Sequence, residues 1–239
     1  MSDDKKMSRQ GDLILQCLQE VSAQRRSRSD EPPLAAQVAT VKSFQQRRFE
    51  ATYADMLADS CYAPAVRFFL DELYGPTDFT QRDQEFARVV PALVRLFPAD
   101  IVATVASLVQ LHSLSERLDT DMARALGDGC LDGETYGRAW RTVGRAEDRE
   151  QQVILMLTVG AALDRYTRNP LLRHSLRLMR PASQAAGLAS LQRFLESGFD
   201  TFRAMNGAAH FLETIADRER SLSAHLFAGG SVADATGMS

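Results

Sequence analysis

The run Val153-Ile154-Leu155-Met156-Leu157-Thr158-Val159-Gly160-Ala161-Ala162-Leu163 is the longest apolar stretch in the chain. Its eleven residues fall well short of the roughly 20 needed to cross a bilayer. The run is flanked by Glu147-Asp148-Arg149-Glu150 on one side and Asp164-Arg165 on the other. It predicts a helix over 147–167 at the centre of a soluble core, and Gly160, Ala161 and Ala162 are small enough to let a neighbouring helix approach closely. Tyr136 and Trp140 mark a short helix before it, and Asn169-Pro170 ends it because proline cannot continue the hydrogen-bond ladder.

Outward from this centre, nearly every segment carries the helical rather than the strand period. Leu13, Ile14, Cys17, Leu18 and Val21 form one stripe, which predicts a docked amphipathic helix over 11–24. The polar run over 25–33 reads as a linker, and residues 1–10 as a disordered N-terminus. A long helix carrying Leu34, Val38, Val41, Phe44, Phe49, Tyr53 and Met56 should stop near Ser60. Pro64 suits the first turn of the next helix, which Gly75-Pro76 should end. Thr80 with Asp83 three residues on reads as an acidic variant of the capping box, and Pro91 should kink or split the helix that follows.

Pro98 opens the longest pattern, from Ile101 to Ala125, closed by the Gly-rich segment Gly127 to Gly133, read as a flexible connector. Two further helices carry Leu188 to Phe202 and Phe211 to Leu226, and the small, polar residues 228–239 read as a disordered tail. No run of alternating β-branched residues bounded by turn signals appears, so no sheet is expected. The fold class is all-α: a compact bundle of about nine to ten helices in one domain over 11–227, around the helix at 147–167.

With 45% apolar and 25% charged residues, the composition is that of a globular protein and excludes disorder for the bulk of the chain. A net charge of −3 gives no global attraction to phosphate backbones, so nucleic acid is not an expected partner. The N-terminal residues are polar and mixed in charge, unlike a secretory leader, and no transmembrane segment is expected. Cys17, Cys61 and Cys130 are odd in number and form no paired motif, which points to a reducing, cytoplasmic compartment.

Chemistry-bearing patterns are sparse. Di-iron bundles need Glu-x-x-His pairs, but Val109, Leu171, Gly207 and Leu222 stand three residues before His112, His174, His210 and His225. No cofactor and no metal are expected; if a metal ion or haem is held, His112 with Glu116 one turn on is the pair to hold it. Asp119 and Asp121 stand two apart and point to different sides of a helix. The segment Gly127 to Gly133 lacks the Lys-Ser/Thr of a phosphate loop, and no nucleophile elbow appears. The basic clusters Arg25-Arg26, Arg28 and Arg47-Arg48 read as solvated faces.

One heptapeptide stands out: Phe68-Phe69-Leu70-Asp71-Glu72-Leu73-Tyr74, followed by Gly75-Pro76, Asp78-Phe79 and Arg82-Asp83. With the terminal segment Phe211-Leu212 to Leu226-Phe227, it resembles the bacterial family named for its FFLEELY motif, with Asp71 where the name has Glu. The family has no established activity, so the resemblance implies a grouping and not a function. Read physically, Phe68, Phe69, Leu73 and Tyr74 cover two successive turns as a packing face. The functional reading turns Phe69, Tyr74, Asp71 or Glu72 toward a pocket with Arg82 opposite and His112 nearby, a place suited to an apolar ligand with an acidic head.

The absence of a recognisable catalytic set leans away from an enzyme. The leading expectation is non-enzymatic binding of an apolar small molecule or a protein partner, with a homodimer among the forms the latter can take. The alternative is a metal- or haem-dependent helical enzyme using His112.

Overall fold

The computed structural model describes residues 2–74, 79–127 and 129–236, the side chains of residues 2–6, 73 and 74 excepted. The protein is an all-α bundle, with no strand among the described residues. The long helices are α1 (Ser2–Ser29), α2 (Pro32–Thr52), α5 (Thr80–Leu96), α6 (Ala99–Leu126), α8 (Ala146–Thr167), α11 (Ala189–Ala204) and α12 (Ala209–Phe227). The shorter ones are α3 (Ala54–Ala58), α4 (Ala63–Phe69), α7 (Gly133–Val143), α9 (Pro170–Leu178), α10 (Arg180–Ala185) and α13 (Val232–Thr236). A π-helical turn, Leu70–Tyr74, continues α4.

The apolar run lies in α8, within one residue of its expected start and at its expected end. Helix α8 shares the centre with α6, which packs on α1, α2, α7 and α8, while α11 and α12 lean on the far side of α8. Three buried apolar clusters tie these helices together. Ile14, Cys17 and Leu18 of α1 meet Val90 of α5 and Val102, Ala106 and Val109 of α6. Phe44 of α2 stacks on Tyr136 of α7 beside Leu222 and Leu226 of α12. Phe68 and Phe69 of α4 pack with Met156 of α8, Phe202 of α11 and Phe211 of α12. Gly160 permits the close approach anticipated for α8: a Cβ there would lie 2.4 Å from Leu212 Cδ2 of α12.

Several elements depart from the sequence reading, each for a physical reason. The expected linker over 25–33 is mostly helix: α1 runs unbroken to Ser29, because Arg25 and Arg28 find carboxylates in the interior and Arg28 is buried. Helix α2 ends at Thr52 and a separate turn, α3, follows. Thr80 is the first residue of α5, not its cap, and Asp83 turns its carboxylate inward to Arg25 and His112. Helix α5 runs through Pro91 without splitting.

Residues 2–10 belong to α1, and the expected tail over 228–239 contains α13, whose Val232 is fully buried against the Tyr136 and Trp140 cluster. The Gly-rich connector ends in a specific cap. Asp132 accepts from the backbone N–H groups of Glu134 and Thr135 while Thr135 Oγ1 accepts from Asp132 N, a capping box that fixes the start of α7. Glu85 of α5 is buried and accepts from Leu191 N, supplying a partner for the first turn of α11.

Candidate functional site

Five helices converge on one polar region, each presenting residues three or four apart on its inner face. Helix α2 supplies Lys42, Gln45 and Arg48; α6 supplies His112, Glu116 and Asp119. Helix α7 adds Tyr136 and Trp140, α8 adds Arg149, Gln152 and Met156, and α12 adds Glu219, Arg220, Ser223 and Phe227. These side chains line a cavity of about 410 Å³.

At one side stands Glu116, buried and surrounded by cations. It is paired with Arg28, with Lys42 at 2.6 Å and with Arg25 at 3.5 Å. Burial pushes its carboxyl up, but Lys42 and Arg28 outweigh that and hold it far below the usual carboxylate range. Arg25 also donates to Asp83 at 2.9 Å, and His112 Nε2 donates to the same Asp83 oxygen at 2.9 Å. Burial raises the Asp83 carboxyl, yet the His112 bond and the Arg25 charge bring it below its ordinary value. The arginines read from sequence as a solvated cluster are thus the pins that tie α1 to α5 and α6.

The charges lining the cavity pair off almost completely. Lys42 pairs with Glu116, Arg48 with Glu219, and Arg220 with Glu150. Arg149 and Asp119 remain, and among the described residues neither has an ion-pair partner. Arg149 is buried at 6% exposure; its Nη1 donates to Gln152 Oε1 at 3.3 Å, while its Nε and Nη2 have no hydrogen-bond acceptor. Its Cζ lies over the Trp140 ring, 3.8 Å from the ring centroid.

Asp119 accepts from Gln45 Nε2 at 3.1 Å, and burial pushes its carboxyl up. Burial likewise lowers the Arg149 pKa. Trp140 Nε1 and Arg48 Nε are also buried without acceptors, although Arg48 is held charged by Glu219, which more than offsets its burial. Buried donors left over in this number are uncommon, because each costs free energy unless something accepts from it.

A family model described as a domain of unknown function, DUF8198, matches residues 24–233. The chain belongs to this family. No curated protein and no solved structure matches the chain. The DUF8198 match starts one residue before Arg25 and runs past the last cavity residue, Phe227, so the whole ion network and cavity lie within it.

In this DUF8198 domain the residues singled out from sequence are only partly brought together. Phe69, Glu72, Arg82 and His112 line a small cavity of about 60 Å³ next to the larger one. Arg82 does stand opposite Glu72: its Nη1 donates to the Glu72 carbonyl at 3.1 Å and carboxylate at 3.3 Å. Its guanidinium lies between the rings of Phe79 and Phe194, at 3.9 and 4.5 Å. Phe69 is a core residue whose ring packs on Phe49, Phe202 and Phe211. Asp71 is exposed, and the Tyr74 side chain lies outside the described residues, as do Gly75 and Pro76.

His112 and Glu116 face the same region, but as members of an ion network; a divalent cation at Glu116 would meet Arg28, Lys42 and Arg25. Among the described residues no three His, Cys, Asp or Glu side chains gather into a metal-holding group. Nor does the Asp83–His112 pair orient a nucleophile: Ser115, one turn on, accepts from Gln152 Nε2 at 2.9 Å, and no hydrogen bond joins it to His112. No helix among the described residues is long and apolar enough to cross a membrane.

The sequence reading missed Arg149, Arg48, Asp119, Tyr136 and Trp140 as site residues. One signal was available. Arg149 lies seven residues before Met156 and fourteen before Leu163, in line with the apolar face of its helix, and an arginine on such a face calls for a partner.

Proposed function

We propose that this protein binds, without transforming it, a small organic molecule that carries an anionic group, held at Arg149. The observation that carries this reading is Arg149 itself: a buried residue lining a 410 Å³ cavity, its guanidinium over Trp140, with no carboxylate in salt-bridge contact and no acceptor at Nε and Nη2 among the described residues. A carboxylate or similar oxyanion is the natural acceptor for two adjacent guanidinium N–H groups. Asp119, whose carboxyl burial pushes up, lines the same cavity. Tyr136, Trp140 and Phe227 give the cavity apolar walls, the usual composition of a small-molecule site. Binding, and not catalysis, is supported by the ion pairs that hold Lys42, Arg48, Glu116, Glu150, Glu219 and Arg220 of the wall and by the absence of an oriented nucleophile among the described residues. The likeness of residues 68–74 to the FFLEELY proteins agrees with this reading but adds no chemistry to it.

Trp140 is the only tryptophan in the chain, and it lies against the proposed ligand-holding group, so its emission reports occupancy. The full chain titrated with hexanoate and, separately, with inorganic phosphate should show a saturable change in tryptophan emission with at least one of them. Arg149→Met should weaken that binding by tenfold or more. A wild-type protein whose Trp140 emission and calorimetric trace ignore both anions would overturn the reading.

A further inference from the structure

The polar cavity does not stand alone. Beside it lies the 60 Å³ cavity, and beyond that an almost wholly apolar cavity of about 160 Å³ between α4, α6, α8 and α11. The last is walled by Phe68, Phe69, Leu108, Val159 and Phe202 among others, and its few polar groups, the Thr104 and Tyr166 hydroxyls, are bonded to each other at 3.1 Å. His112 and Ser115 line both the polar and the small cavity; Phe69, Leu108, Leu111 and Phe194 line both the small and the apolar one. Met156 lines all three.

The path follows one face of α8. Arg149, Met156 and Leu163 stand at steps of seven residues, with Val159 and Gly160 between the last two. At a rise of about 1.5 Å per residue, Arg149 and Val159 are separated by roughly 15 Å along the helix axis. Met156, which lines all three cavities, is an unbranched side chain whose rotatable bonds let it shift aside without moving backbone. A cation with no salt bridge among the described residues at one end, an oily chamber at the other, and a flexible side chain along the way match an amphiphile.

We infer that the ligand is a single-headed amphiphile, an unbranched medium-chain carboxylic acid, with its carboxylate at Arg149 and its hydrocarbon tail passing Met156 into the apolar cavity. This inference rests on the binding reading given above, which it deepens by naming the ligand class. Leu195 marks where the tail ends: it lines the apolar cavity yet is 41% exposed, so the chamber reaches the surface beside α11.

Chain length tests it. Calorimetric titration of the full chain with butyrate, hexanoate, octanoate and decanoate should give affinity that rises with length, by about three- to fourfold for each methylene buried. Leu195→Phe, which adds bulk from the half-exposed rim where the fold tolerates it, should flatten the upper part of the series. Leu108→Phe, from the interior, serves as a second variant with the same expectation. Arg149→Met should weaken all four acids together. Decyl phosphate is titrated beside decanoate: weaker binding of the phosphate supports the carboxylate assignment, and tighter binding overturns it in favour of a phosphate head. Butyrate and decanoate binding with equal affinity would overturn the tail while leaving the Arg149 reading intact. Failure of every acid, and of inorganic phosphate, would overturn that reading itself.

Discussion

The guanidinium of Arg149 lies 3.8 Å above the ring of Trp140, buried, with a cation–π contact where a carboxylate would be expected. Such a stack offsets only part of the cost of desolvating a cation. On the proposed reading, Arg149 costs the unliganded fold stability. Arg149→Met, which keeps the length and removes the charge, should raise the stability of the ligand-free protein by about 1–3 kcal/mol. Chemical denaturation with tryptophan emission as the readout checks it, and a loss of stability would mean that the guanidinium is satisfied by the fold alone.

Asp119 should behave in the same sense, with a pH signature. Its folded-state pKa is raised by burial above the ordinary 3.8. The sign follows: folding favours the protonated form, so that contribution is present in full below pH 3.8 and is lost as pH rises through the folded value. Asp119→Asn keeps the oxygen that accepts from Gln45 and cannot ionise. The variant should gain stability over wild type by an amount that is smallest near pH 4 and grows as pH rises, as read from paired denaturation curves across that range.

Glu116 should behave oppositely. Its folded pKa is depressed well below the ordinary 4.5, so the stability it contributes is present above pH 4.5 and is lost as pH falls toward the folded value. Glu116→Gln leaves Arg28 and Lys42 facing each other across the interior without their carboxylate. The expected loss is about 3–5 kcal/mol at neutral pH, with the gap to wild type narrowing in acid. A gap that is constant with pH would show that packing, not charge, accounts for the loss.

Phe69 is 3% exposed and packs on the rings of Phe49, Phe68, Phe202 and Phe211 while also lining the two smaller cavities. Phe69→Ala should cost about 3–5 kcal/mol, which is a stability effect dominating any effect on ligand. Thermal unfolding followed by far-UV circular dichroism checks the magnitude. A loss below 1 kcal/mol would mark the ring as a pocket wall and not a core residue.

Much of the fold was legible because helix period, proline and helix-ending signals are local. The apolar spacing placed α8 to within one residue, Pro64 fell in the first turn of α4, and Asn169-Pro170 ended α8. Local rules failed where a long-range partner overrode them. Arg25 and Arg28 look solvated until Asp83 and Glu116 arrive from 58 and 88 residues away, and Asp83 looks like a cap until His112 claims it. The tail looked too small and polar to fold, but Val232 inserts beside Tyr136 and Trp140.

By itself, the sequence determined the all-helical class, the central position of residues 153–163, and the absence of the familiar catalytic signatures, because these depend on which residues stand three and four apart. Only the tertiary structure decided which charges are paired. Lys42, Arg48 and Arg220 each meet a carboxylate from another part of the chain, and among the described residues Arg149 does not. Pairing is a property of distances between helices, which no spacing along one helix encodes, and it is what sets Arg149 apart from the other cations of the cavity wall.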